Sequence, residues 1–157
     1  MFMSAFQHLI FVFRSGSMSF DDRRPLANAP MTNRIQQHTN NRLGAVYSAL
    51  YSFWSARHAA TMAGQQTVGA RRDAYSVILF NSATTLVLDN DFTNTPDQLL
   101  GAVLGHWADG GTNFSAALRA GAAVMEQNWS TERFIPRLTI SPLVHFTHIF
   151  CYLEHRS

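Results

Sequence analysis

Five consecutive β-forming apolar residues, Leu9 to Phe13 (LIFVF), place the tightest constraint on this chain. A strand without a polar face cannot lie on a solvated sheet surface and asks for cover on both sides. Two further β-rich runs, AYSVILF (Ala74 to Phe80) and TTLVLD (Thr84 to Asp89), are separated by a few turn residues. That spacing predicts an antiparallel pair.

Helical periodicity fills the intervals. From Asn41, Leu43, Val46, Tyr47, Leu50 and Trp54 recur at helical spacing, with Asn40 or Asn41 as the cap. Thr95-Pro96-Asp97-Gln98 announces a second helix: threonine caps, proline suits the first helical position and glutamine completes a capping box. Its expected buried face is Leu99, Leu100, Val103, Leu104 and Trp107. A third helix follows the turn Asp109-Gly110-Gly111, with Leu118, Ala122, Met125 and Trp129 on its expected inner side. The stretch Arg23 to Thr39, with Pro25 and Pro30 and no period, reads as a long surface connection, and Ala63 to Arg72 as a glycine-containing linker. Strands alternating with helices predict an α/β fold: an open, mainly parallel, Rossmann-like sheet with helices on both faces. The ending fits this plan poorly. Pro136 and Pro142 bracket one short strand candidate, Arg137 to Ser141, and an aromatic, histidine-rich tail follows.

Composition removes several function classes. All 12 basic side chains are arginine, so lysine-based Schiff bases and a phosphate-loop lysine are excluded. The arginines are scattered apart from Arg23-Arg24 and Arg71-Arg72, which leaves no basic stripe for nucleic acid. The single Cys151 cannot form an internal disulfide and favours a reducing, cytoplasmic setting. No run approaches the roughly 18 apolar residues of a membrane span, and no secretory signal pattern opens the chain. His145, His148, Cys151 and His155 match no standard zinc spacing, and a partly buried aromatic cluster is the plainer reading. No Ser/His/Asp, Cys/His or paired-carboxylate set stands at the strand ends, so an enzyme is not expected.

Ligands of open α/β sheets sit at the carboxyl ends of the strands, where the loop after the first strand and the loop before the last helix should meet. Both loops carry hydroxyls on glycine-bearing turns. Ser15-Gly16-Ser17-Met18 resembles the end of a DxSGSM loop. Gly110-Gly111-Thr112-Asn113-Phe114, running into Ala116-Ala117-Leu118, resembles a GGTNxxxAL pattern. With DAYSVILFNSATT and TPDQLLGAVL in the right order between them, roughly Ser15 to Arg133 is similar to the von Willebrand factor A family. The resemblance implies a partial domain over residues 1–133, cut short after about the fourth strand, and a poorly matching tail over 134–157.

It also implies a metal-ion-dependent adhesion site, in which two serines, a threonine and two aspartates hold magnesium and the ion takes a carboxylate from a protein partner. Ser15, Ser17 and Thr112 match the hydroxyl ligands. The carboxylates do not match: Phe13 stands at the leading aspartate, and with ISP aligned on the second aspartate's turn, Pro142 occupies its place. Each lost carboxylate forfeits about 4 kcal/mol per unit of opposing charge at about 4 Å and an effective dielectric of about 20. Weak magnesium binding at most follows, with Asp109, Asp21 and Asp22 as the substitutes at hand. The expectation is a protein-interaction module of this type with impaired magnesium binding and no membrane or nucleic-acid partner. The alternatives are a truncated or misannotated fragment without independent function, and an anion-binding α/β protein in which Arg14 faces the ligand. The mismatches fall where the resemblance stops, which predicts ends that are not inherited domain sequence. Uninterrupted coding sequence through Arg14 and Arg133 would remove that idea.

Overall fold

Strand β1 (Phe6–Phe13) runs parallel to β2 (Ala74–Phe80), with Ile10 opposite Val77 and Phe13 opposite Phe80. Both faces of this pair are buried, as an unbroken apolar run requires: Leu9, Phe11, Ile78 and Phe80 on one side, Ile10, Val12, Val77 and Leu79 on the other. The computed structural model describes residues 6–64, 72–128, 137–140 and 151–156. The chain forms two compact units, one built from Met1–Phe13, Arg71–Phe92 and Gly111–Ser157, the other from Arg14–Ala70 and Thr93–Gly110.

The first unit holds the sheet, in the order β3-β2-β1-β5-β4, with β3 at Thr84–Asp91, β4 at Arg137–Ile140 and β5 at Cys151–Arg156. The expected β2–β3 antiparallel pair is present. The mainly parallel sheet is not: β1–β2 is parallel, while β2–β3, β1–β5 and β4–β5 are antiparallel. Residues 81–83 between β2 and β3 are too few for the crossover that a parallel neighbour needs. The tail takes part in the sheet, because β5 pairs with the free edge of β1 and β4 continues beyond it, which makes five strands among the described residues where about four were expected. Cys151 and His155 therefore lie on strand backbone rather than a helical face, and His145 and His148 lie outside the described residues.

Helix α4 (Phe114–Asn128) covers one face of this sheet through Ala117, Gly121 and Val124. The expected face was one position off. Leu118 is 62% exposed and Ala122 is exposed too, while Met125 packs at the edge of the cluster and Trp129 lies outside the described residues. Small residues decide the matter, since a Cβ on Gly121 would overlap the Phe11 ring. At the amino ends of the strands His8 and Asp73 form a buried pair at 3.1 Å, and His8 stacks on Tyr75 with ring centroids 5.0 Å apart.

The second unit contains α1 (Thr32–His38), α2 (Arg42–Gly64) and α3 (Pro96–Leu104). Asn41 caps α2 by accepting from Gly44 N–H, and Leu43, Tyr47, Leu50 and Trp54 form its buried stripe. The helix runs into the stretch expected as a linker, whose residues 65–71 lie outside the described residues. The Thr95–Gln98 capping box of α3 is complete. Helix α1 occupies part of residues 23–39, the stretch expected as a long surface connection. Ile35 is fully buried, and Thr32 Oγ1 donates to the carbonyls of Leu26 (2.6 Å) and Ala29 (2.8 Å), tying down a segment with no visible period.

Alanine normally stabilises a helix over glycine by about 1 kcal/mol. Gly121→Ala should instead lower stability by about 1–3 kcal/mol, because the added methyl meets a packed ring. Gly105→Ala, where an added Cβ meets nothing within 4 Å, serves as the control. Urea unfolding of both variants measures the difference.

Candidate functional site

Immediately after β1 the chain forms a 3₁₀ turn, Gly16–Ser19, preceded by Ser15. Ser15 is buried, and its Oγ lies 2.8 Å from the half-buried Ser17 Oγ, so the two hydroxyls satisfy each other. The turn is clamped from the opposite loop by two backbone bonds: Gly16 N–H donates to Gly110 O (2.9 Å), and Asp109 N–H donates to Arg14 O (2.8 Å). Gly110 has φ 67°, a left-handed conformation in which a side chain is strained. Two of the three expected ligands, Ser15 and Ser17, are thus brought together.

Thr112 follows Gly110 by two residues and belongs to the sheet's unit. It is exposed, between two anchors on the β2–β3 turn: Gly111 N–H to Ser82 Oγ (2.8 Å) and Asn113 N–H to Asn81 O (2.7 Å). Asn113 Oδ1 then caps α4 by accepting from Ala116 N–H. Phe13, which the resemblance aligns with an aspartate, sits among rings, with centroids 5.5 Å from Phe80 and 6.1 Å from Phe114.

Two of the three acidic substitutes, Asp21 and Asp22, are engaged by arginine. Asp22 accepts from both Arg42 Nε (2.6 Å) and Nη2 (2.8 Å), and Arg42 holds its carboxyl below the usual range. Asp21 pairs with Arg24 at 3.3 Å. Arg42 also donates from Nη1 to Ser17 O and lies over the Phe20 ring at 5.1 Å, buttressing the turn from outside. Among the described residues no three His, Cys, Asp or Glu side chains converge to hold an ion.

Arg14 reaches the other side of the clamp, where Nη1 donates to Trp107 O (3.3 Å). Burial and the Arg14 charge lower the His106 pKa from its ordinary 6.5. Tyr47 donates to His106 O at 3.0 Å, and burial raises its phenol pKa. Trp107 was expected on the inner face of α3, but the helix ends at Leu104 and the indole is 69% exposed. Arg14 and Trp107 were thus missed as a pair. The sequence signal was slight: an arginine between an apolar run and a hydroxyl turn, and a tryptophan just past a helix end.

No family model and no curated protein matches this chain. The fold is similar to the crystal structure of an uncharacterized membrane spanning protein from Vibrio fischeri, with a TM-score of 0.51 and 17% identity over 81% of this chain and 52% of that one. This chain therefore spans about half the length of that protein, and at such identity the likeness concerns the fold alone. Among the described residues no helix is long and apolar enough to cross a membrane.

Two outcomes follow from this geometry. Ser15→Ala and Ser17→Ala should each cost about 1 kcal/mol by orphaning the other hydroxyl, whereas the double variant should cost less than their sum. His106 binds a proton more weakly in the folded chain than in the unfolded one. Its contribution to stability is complete above pH 6.5 and is lost as pH falls through the lowered pKa. Arg14→Gln should raise that pKa, which a histidine NMR titration reads directly.

Proposed function

We propose that this chain is a protein-interaction module of von Willebrand factor A type that docks its partner at the Ser15–Ser17 turn, binds magnesium poorly and catalyses no reaction. The observation that carries this reading is the Gly16–Gly110 backbone bond, which joins the turn after β1 to the glycine pair leading into α4. Further support comes from β1, β2 and β3 lying side by side in the chain order of the resembling segments. The hydroxyls of Ser15 and Ser17 lie within hydrogen-bond distance of each other, 2.8 Å apart. Replacing two carboxylates by Phe13 and Pro142 removes the charge that a dication exchanges for its water.

The exposed surface around the turn has the composition of a docking face. Trp107 and Phe20 are 69% and 59% exposed and flank the turn and its clamp. Aromatic side chains and arginine are enriched at the energetic centres of interfaces. The test is retention of partner proteins from a cell extract by the full chain in EDTA, compared with Ser17→Arg and Trp107→Ala. Proteins held by the wild type and released by both variants are the expected result. Equal retention by all three would place the contact elsewhere and end this reading. Thermal melting supplies the metal arm: with a dissociation constant no tighter than about 5 mM, about 5 mM magnesium adds about 0.4 kcal/mol, or about 1–2 °C. A shift of ten degrees or more, on the order of several kcal/mol, would overturn the account of the damaged ion site.

A further inference from the structure

We propose that Arg14 receives a carboxylate from the partner protein, so that a fixed guanidinium supplies the positive charge at this surface. The inference rests on the docking reading above and names its chemistry. Arg14 is half-buried, its main chain is pinned by Asp109 N–H, and its Nη1 is tied to Trp107 O. Its Nε is buried with no hydrogen-bond acceptor. A buried donor left unmatched is costly, and an incoming anion relieves that cost.

Its buried Nε without an acceptor sets this arginine apart on its unit. Arg24 and Arg42 are matched by Asp21 and Asp22, whereas the Arg14 guanidinium, like that of Arg34, donates to a main-chain carbonyl. Asp109 meets it through backbone N–H to the Arg14 carbonyl. A guanidinium presents paired N–H groups that fit the two oxygens of a carboxylate. One unmatched arginine balances one carboxylate, while phosphate sites gather several cations. Burial and the Arg14 charge disfavour a second cation at His106.

The probe is acetate, titrated into the ¹⁵N-labelled full chain in EDTA, with inorganic phosphate as the second arm. A saturable shift of the Arg14 Nε–H resonance, together with a rise in the His106 pKa as the neighbouring charge is neutralised, is expected. Arg14→Gln should abolish the acetate dependence of the His106 pKa while still unfolding cooperatively. Arg14→Lys, which keeps the charge and loses the fork, should retain a weaker response. No saturable response in the folded chain, a response unchanged in Arg14→Gln, or phosphate binding more tightly than acetate would each overturn the assignment. The extract experiment separates the two claims. Partner retention lost in both Ser17→Arg and Arg14→Gln supports Arg14 as receptor; retention lost only in Ser17→Arg overturns it and leaves the docking surface standing.

Discussion

A pair of backbone hydrogen bonds, Gly16 N–H to Gly110 O and Asp109 N–H to Arg14 O, closes the loop after β1 against the turn after α3. These bonds run in opposite directions across the same junction, so the two loops cannot slide without breaking both. Only a residue without a side chain accepts the left-handed backbone at Gly110 easily, which makes the junction sensitive to that one position. Once it is closed, Ser15 has little freedom and its hydroxyl faces that of Ser17. A turn fixed in this way keeps its form without an ion.

The charges around this junction are sorted into matched and unmatched groups. Asp21 and Asp22 lie close in sequence to the hydroxyl turn, yet their carboxylates are occupied by Arg24 and Arg42. Phe13 contributes to an aromatic cluster with Phe80 and Phe114. Arg14 stands at the same junction with its Nε buried and without an acceptor.

Much of this was legible from local rules. The LIFVF run specified a doubly buried strand, the short spacing after AYSVILF specified an antiparallel neighbour, and Thr95 with Gln98 specified where α3 begins. The losses arose where tertiary packing overrides a periodic pattern. Helix α1 is held by Ile35 burial and the Thr32 hydroxyl, neither of which leaves a repeat in the sequence. The inner face of α4 is set by the Phe11 ring, which favours Gly121 and Ala117 over the larger Leu118. The partner on the free edge of β1 is β5, drawn from a tail whose pattern does not announce a strand. In the site the two serines were legible as a motif. The Arg14–Trp107 contact was not, because it joins residues 93 apart in the chain.

The central claim is that the Gly16–Gly110 closure exists without metal, and amide hydrogen exchange at Gly16 in EDTA tests it most directly. The account expects exchange slowed by on the order of tenfold or more relative to an unstructured chain, with little change on adding magnesium. Exchange at the unstructured rate, or protection that arises only with magnesium, would contradict it.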